Sequence, residues 1–252
     1  MRLFVGIDLS RKSVPSATML LLFRCLPEPH HLTQAVFTEI NAGLMEKGLL
    51  LKGSIVDATL IAAPSSTKNM DHARDPELHQ TKEGNQWYHG MKAHIGADTE
   101  SGLVHTRVTT AANASNIASL AECLRTDDAP VHLDAGYVGA QKREEITERQ
   151  ADGRLKTDID WQTAKRRKGI RQMPEGPMKD MLLAAENAKA QDGAIVEHPF
   201  HIVKNVLKYR GARYRGLAKN TAQLYLLFGL ANVMMAKKAL MLRVGDQSVL
   251  SA

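Results

Sequence analysis

The spacing of hydrophobic positions changes character along this chain. Between His31 and Gly48, the residues Leu32, Val36, Phe37, Ile40 and Leu44 recur at helical intervals, and Gly48 supplies a stop. Upstream, SVPSATMLLLFRCL is a second helical run, separated by the break from Pro27 to Pro29, so residues 1–50 read as a small two-helix segment. From Ser54 the period becomes two: SIVDATLI is rich in β-branched residues and closes at Ala63-Pro64, before the polar loop SSTKNMDHARDPELHQTKEGN. Trp87 to Ala97 and Leu103 to Thr110 alternate again and are joined by the polar turn DTESG, which predicts a hairpin with Trp87 in the core. Ile117 to Leu124 predicts a helix, APVHLDAGY a short buried strand ending at Asp134, QKREEITERQ an exposed helix, and KTDIDWQTAK a fifth strand. The pattern is weakest from Gly169 to Gly193.

This order of strand, hairpin, helix, strand, helix, strand and helix is an α/β pattern with an antiparallel and a parallel part. In such sheets ligands gather at the carboxyl ends of neighbouring parallel strands. Composition adds exclusions. The hydrophobic fraction of 44% with 24% charged residues is that of a folded soluble protein. The two cysteines, Cys25 and Cys123, lack zinc-ligand spacing and argue against a disulfide framework, so a reducing, cytoplasmic setting is expected. MRLFVGIDLS is too short an apolar start for a secretory signal, and its Asp8 is read as a cap or surface residue because a glycine-rich phosphate loop does not follow. The longest apolar run, Ala222 to Ala236, is broken by Gln223 and Asn232 and reads as a core helix rather than a membrane span.

The net charge of +6 favours a polyanionic partner only weakly, and its distribution is more informative. KRRKGIR fills Lys165 to Arg171. Lys204, Lys208, Arg210, Arg213, Arg215 and Lys219 follow one another without an intervening acid, with Tyr209 and Tyr214 among them. Each run is either a solvated face or a phosphate contact.

Asp57 lies inside an apolar strand, where a carboxylate needs compensation from a turn hydrogen bond, an arginine or a metal ion. Asp134 ends the run VHL before a glycine turn and presents the same choice between capping and catalysis. In AIVEHPFHIVKNVLK, Pro199 is tolerable in the first turn of a helix, and Glu197, Lys204 and Lys208 then share one face. Three carboxylates on cysteine-free elements suit magnesium or manganese, and two such ions can drive an in-line displacement at phosphorus.

The segments IVDATLIAAPSSTKN, RDPELHQTKEGNQWYHGMKAHIGAD, SGLVHTRVTTAAN, DAGYVGAQKREE and VEHPFHIVK, in this order, resemble the insertion-sequence DDE transposases of the group named for insertion sequence five. The resemblance implies a ribonuclease-H-like mixed sheet flanked by helices over residues 51–210. It leaves residues 1–50 as a remnant of a DNA-binding region and 211–252 as a C-terminal helical segment packed on the catalytic domain. It implies cleavage and strand transfer at insertion-sequence ends, with Asp57, Asp134 and Glu197 holding two Mg2+ or Mn2+ ions and Lys204 placing a phosphate. Double-stranded DNA is the implied partner, met by Lys92, His94, Lys165, Arg166, Arg167, Lys208, Arg210, Arg213 and Arg215, and the active form is expected to be a homo-oligomer associated with the nucleoid. The chain departs from the family pattern in places. Gly193 and Ala190 stand where an arginine and a tyrosine are usual, Ala114, Ser115 and Asn116 replace an acidic residue followed by His-Asp, and His201 replaces a basic residue after HPF. Relatives also carry an upstream helical region, so a truncated copy is expected. A DNA-binding remnant without turnover and a metal-dependent nuclease without transposition are the alternatives.

Overall fold

The computed structural model describes residues 30–164 apart from 65, 69 and 71, residues 170–249 apart from 171, and residues 16 and 18. Asp8, Cys25, most of the first helical run, Lys165, Arg166 and Arg167 lie outside the described residues.

Helix α1 (Leu32–Glu46) precedes strand β1 (Ser54–Ala62), β2 (His79–Glu83), β3 (Gln86–Ala97) and β4 (Val104–Ala111). A 3-10 turn (Ile117–Ser119) leads into α2 (Leu120–Cys123), followed by β5 (Val131–Leu133), α3 (Glu144–Ala151) and β6 (Trp161–Thr163). The chain then turns helical: α4 (Pro177–Ile195), α5 (Glu197–His201) with a π-turn (Ile202–Val206), and α6 (Leu217–Val249). β1 pairs antiparallel with β3 and parallel with β5, and β5 runs parallel to β6. Along its far edge β3 pairs with β2 over Gln86 to Gly90 and with β4 over Met91 to Ala97. The result is a mixed six-stranded sheet flanked by helices, compatible with a ribonuclease-H-like fold.

Strand alternation divides the core into two layers. Ile55 and Ile61 of β1 join Met91, Ala93 and Ile95 of β3 under Phe37, Val196, Phe200, Leu224 and Phe228. Val56 points the other way, into a cluster with Leu120, Cys123, Leu133, Tyr137 and Ile146. β1 and β3 approach closely at Gly90, where a Cβ would stand 2.2 Å from the Ile61 carbonyl oxygen, so the crossing requires glycine there. Asn232, the polar break in the apolar run, is buried in α6. Its amide accepts from the Val104 N–H at 2.8 Å and donates to the Val104 carbonyl at 2.7 Å and to Asn41 Oδ1 at 2.8 Å, tying α6 and α1 to the edge strand β4. Among the described residues, no helix is long and apolar enough to cross a membrane.

Several elements differ from the pattern's expectation. β2 lies within the expected polar loop; its residues HQTKE are almost wholly exposed, so the strand carries no apolar alternation to betray it. The expected fifth strand shrinks to Trp161–Thr163, and the weakly patterned stretch before Gly193 holds the 19-residue helix α4. Trp87, expected in the core, is 64% exposed, because β3 runs past the end of β1, whose last partner is Gly90.

Candidate active site

Local rules carry three acidic side chains to one cavity. In the parallel β1–β5 pair, Ser54, Ile55 and Val56 lie opposite Val131, His132 and Leu133. One residue further, the same register sets Asp57 beside Asp134, with neighbouring strands about 4.8 Å apart. At Asp134 the strand ends, and the side chain caps the 3-10 turn Ala135–Tyr137 by accepting the Ala135 N–H at 2.5 Å. Asp57 similarly accepts the Ala58 N–H at 2.7 Å.

Glu197 arrives from the helical side. Pro199 cannot donate to the Ile195 carbonyl and its ring crowds that position, so α4 stops at Ile195 and α5 restarts at Glu197 with the proline in its first turn. Together Asp57, Asp134 and Glu197 line a cavity of about 530 Å³, whose wall also includes His132, Gln162, Glu186, Lys189 and Gly193.

Burial pushes the Asp57 carboxyl up to about 6, and the charges of Asp134 and Glu197 add to the rise against the lowering effect of the Ala58 N–H. Tyr137, buried beneath, has its phenol raised by desolvation and then by the Asp57 charge. The site thus concentrates negative charge that its own hydrogen bonds do not neutralise. Among the described residues, three or more His, Cys, Asp or Glu side chains nowhere close into a ready ligand cage. The oxygen-only donor set still fits a hard divalent cation, which takes a few carboxylates and completes its shell with water or phosphate oxygens.

The remaining candidates fall into different settings. Lys204 is half-buried in the π-turn and donates to Thr59 Oγ1 at 2.7 Å, two residues along β1 from Asp57 and, by alternation, on the same face of the sheet. Burial lowers its pKa, partly offset by the Glu83 carboxylate. Lys208 does not continue that helical face. The helix ends at Leu207, and Lys208 takes a left-handed backbone with φ of 59°, which puts it in the following loop. Arg210 and Arg213 are exposed on the same loop; Arg210 donates to Asn205 Oδ1 at 3.1 Å, and Arg213 lies 5.8 Å from the Tyr209 ring centroid. Arg215 is exposed there too.

His94, expected to meet DNA, is instead a core residue. It is 1% exposed, hydrogen-bonded to Thr110 Oγ1 at 2.9 Å, and lowered by burial to about 4, so it is neutral and presents no surface to a polyanion. Lys92 is half-buried and donates to the Ala114 carbonyl at 2.8 Å. Both pair with even-numbered residues of β1, Leu60 and Ala58, and so occupy the sheet face opposite Asp57.

Sequence reasoning passed over Glu186 and Lys189. Glu186, Lys189, Gly193 and Glu197 are spaced three, four and four residues apart, a single helical stripe facing the cavity. The signal is a polar stripe, which lacks the apolar periodicity of a core-facing helix.

The family described as Transposase DDE domain matches residues 49–233, a span that contains every cavity-lining residue named above. No solved structure matches the chain.

Proposed function

The chain belongs to the Transposase DDE domain family, and from that premise we propose that it cuts and joins DNA at the ends of an insertion sequence of the insertion-sequence-five group. The observation that carries this reading is the β1–β5 register, which sets Asp57 beside Asp134 on a cavity shared with Glu197. In this reading the three carboxylates would hold two magnesium or manganese ions. Such ions, when bound, supply charge neutralisation at the attacking and leaving oxygens of an in-line displacement at phosphorus.

The protein's own residues would divide the remaining work. Asp57 and Asp134 offer carboxylate oxygens from adjacent strands whose backbone is fixed by the sheet, which gives the pair rigidity. Glu197 approaches from a helix start set by Pro199. Lys204, held at Thr59, would meet a phosphate beside the cavity, and its partial burial strengthens that contact. Arg210, Arg213 and Arg215, with Lys208, would hold the flanking backbone through contacts that weaken with salt. Lys92 faces away from the cavity and would touch DNA only along the opposite sheet face.

The test is magnesium-dependent cleavage of a labelled duplex carrying the element's own terminal sequence, with Asp57→Asn as control. Cleavage by the wild type that disappears in the variant supports the reading. Equal inactivity of the two, with duplex binding retained, would replace it by a DNA-binding remnant; equal cutting of duplexes lacking the terminal sequence would replace it by a general nuclease.

A further inference from the structure

We propose that Lys189 is a phosphate-contacting residue of this cavity, its ammonium meeting a non-bridging oxygen of the phosphodiester that enters beside Asp57, Asp134 and Glu197. The inference rests on the reading of the site as a phosphodiester-cleaving centre. Four carboxylates, those of Asp57, Asp134, Glu186 and Glu197, line the cavity, whereas Lys189 is the lysine among the residues that form its wall. A phosphodiester approaching that wall is repelled by each acid, so a cation on the wall has a defined task.

Lys189 is built for that task. It projects from α4 on the stripe shared with Glu186 and Gly193, which leads to Glu197 at the start of α5. Its ammonium donates to the Thr163 carbonyl at 3.3 Å and lies 3.4 Å from Glu186 Oε1, and the side chain stays 25% exposed while that of Glu186 is 7% exposed. An ammonium has three donors, and these two long contacts hold it in place while leaving capacity toward the cavity. One turn further, Gly193 contributes no side chain, and a Cβ built there would meet nothing within 4 Å, so the wall between Lys189 and Glu197 is open to a ligand. Lys204, by contrast, stands at Thr59 beside the cavity and is not among the residues that line it.

The experiment is equilibrium binding of a short fluorescent DNA duplex across about 50 to 200 mM salt, comparing wild type with Lys189→Ala, Lys189→Met and Lys189→Arg, together with Mn2+ affinity of each. Loss of one phosphate contact should lower the slope of log affinity against log salt by about 1 and weaken binding on the order of tenfold in the alanine and methionine variants. The arginine variant should restore the slope, and Mn2+ binding should be retained in every variant, since loss of a neighbouring positive charge does not weaken a cation site. The methionine variant keeps the aliphatic stem packed, so that a folding defect in the alanine variant does not decide the matter. A wild-type slope in folded Lys189→Met would overturn the proposal while leaving the cleavage reading intact. Absence of duplex binding by the wild type itself would overturn both.

Discussion

Two polar clusters sit three residues apart on β1, and they differ in the one respect that separates structure from function. At the start of the strand, Ser54, His105 and Asp128 have the residue types of a nucleophile triad. Yet Ser54 is fully buried and donates its hydroxyl proton to Asp128, which leaves its oxygen to accept from His105 Nε2 at 2.8 Å. Burial and the nearby Arg125 hold the His105 pKa well below the ordinary histidine value, so the ring is neutral. Proton flow in this arrangement runs opposite to what nucleophilic attack by Ser54 would need. Asp128 is further satisfied by the Arg125 backbone N–H at 2.7 Å and the guanidinium at 2.8 and 2.9 Å, and Arg125 also donates to the Gly53 carbonyl at 3.1 Å. The packing is equally closed: a Cβ on Gly96 would lie 2.6 Å from His105 Cε1. At Asp57 the balance is reversed. Burial first, and then the charges of Asp134 and Glu197 on the same cavity, raise the proton affinity of its carboxylate. A closed network stabilises a fold, whereas a cluster left with surplus charge is prepared for a ligand.

The sharpest way to break this contrast is to neutralise each cluster in turn. Asp134→Asn or Glu197→Gln should abolish metal-dependent cleavage by orders of magnitude with stability changed by less than about 1 kcal/mol, as read by duplex cleavage and urea denaturation on the same preparations. Asp128→Ala should do the opposite. It strands the Arg125 guanidinium and the Ser54 hydroxyl in the interior, costing about 3–5 kcal/mol of stability, while the fraction that remains folded still cleaves.

A finer distinction is the pH response. The folded Asp57 pKa of about 6 lies above its ordinary value of 3.8, so the folded state binds the proton first. Metal-free protein therefore gains stability as pH falls from above 6 toward 4, and carries a penalty at neutral pH. Asp57→Asn lacks the penalty. Its stability advantage, on the order of 3 kcal/mol at pH 7, should shrink across that window, and thermal unfolding at several pH values would show a constant offset if burial does not raise the Asp57 pKa. The smallest effect is expected outside both clusters. Arg210→Ala should lower the salt slope of duplex binding by about 1, equally for all sequences, without altering stability.

Legibility in the sequence followed the kind of signal each region carries. β1, β3 and β4 alternate because one or both faces are buried, and Asp57 and Asp134 were visible as acids interrupting apolar runs. β2 escaped notice because an exposed strand has no reason to alternate in polarity. α4 escaped because the helix turns Glu186 and Lys189 inward, so its stripe is polar where a core stripe is apolar. His94 and Lys92 depend on a different kind of signal. The GMKAH segment is readable as a strand, but which sheet face its alternate residues occupy is set by pairing with β1. Lys208 fails for yet another reason, since a π-turn and a left-handed residue end the helix before its expected next turn.

If bound, a divalent cation at Asp57, Asp134 and Glu197 depends on these carboxylates for its affinity. The most direct test of this dependence is Mn2+ binding followed by electron paramagnetic resonance at neutral pH, comparing the wild type with Asp57→Asn and with Ser54→Ala. Saturable binding that is lost in Asp57→Asn and kept in folded Ser54→Ala is the expected result. Equal Mn2+ binding by the wild type and Asp57→Asn would contradict it.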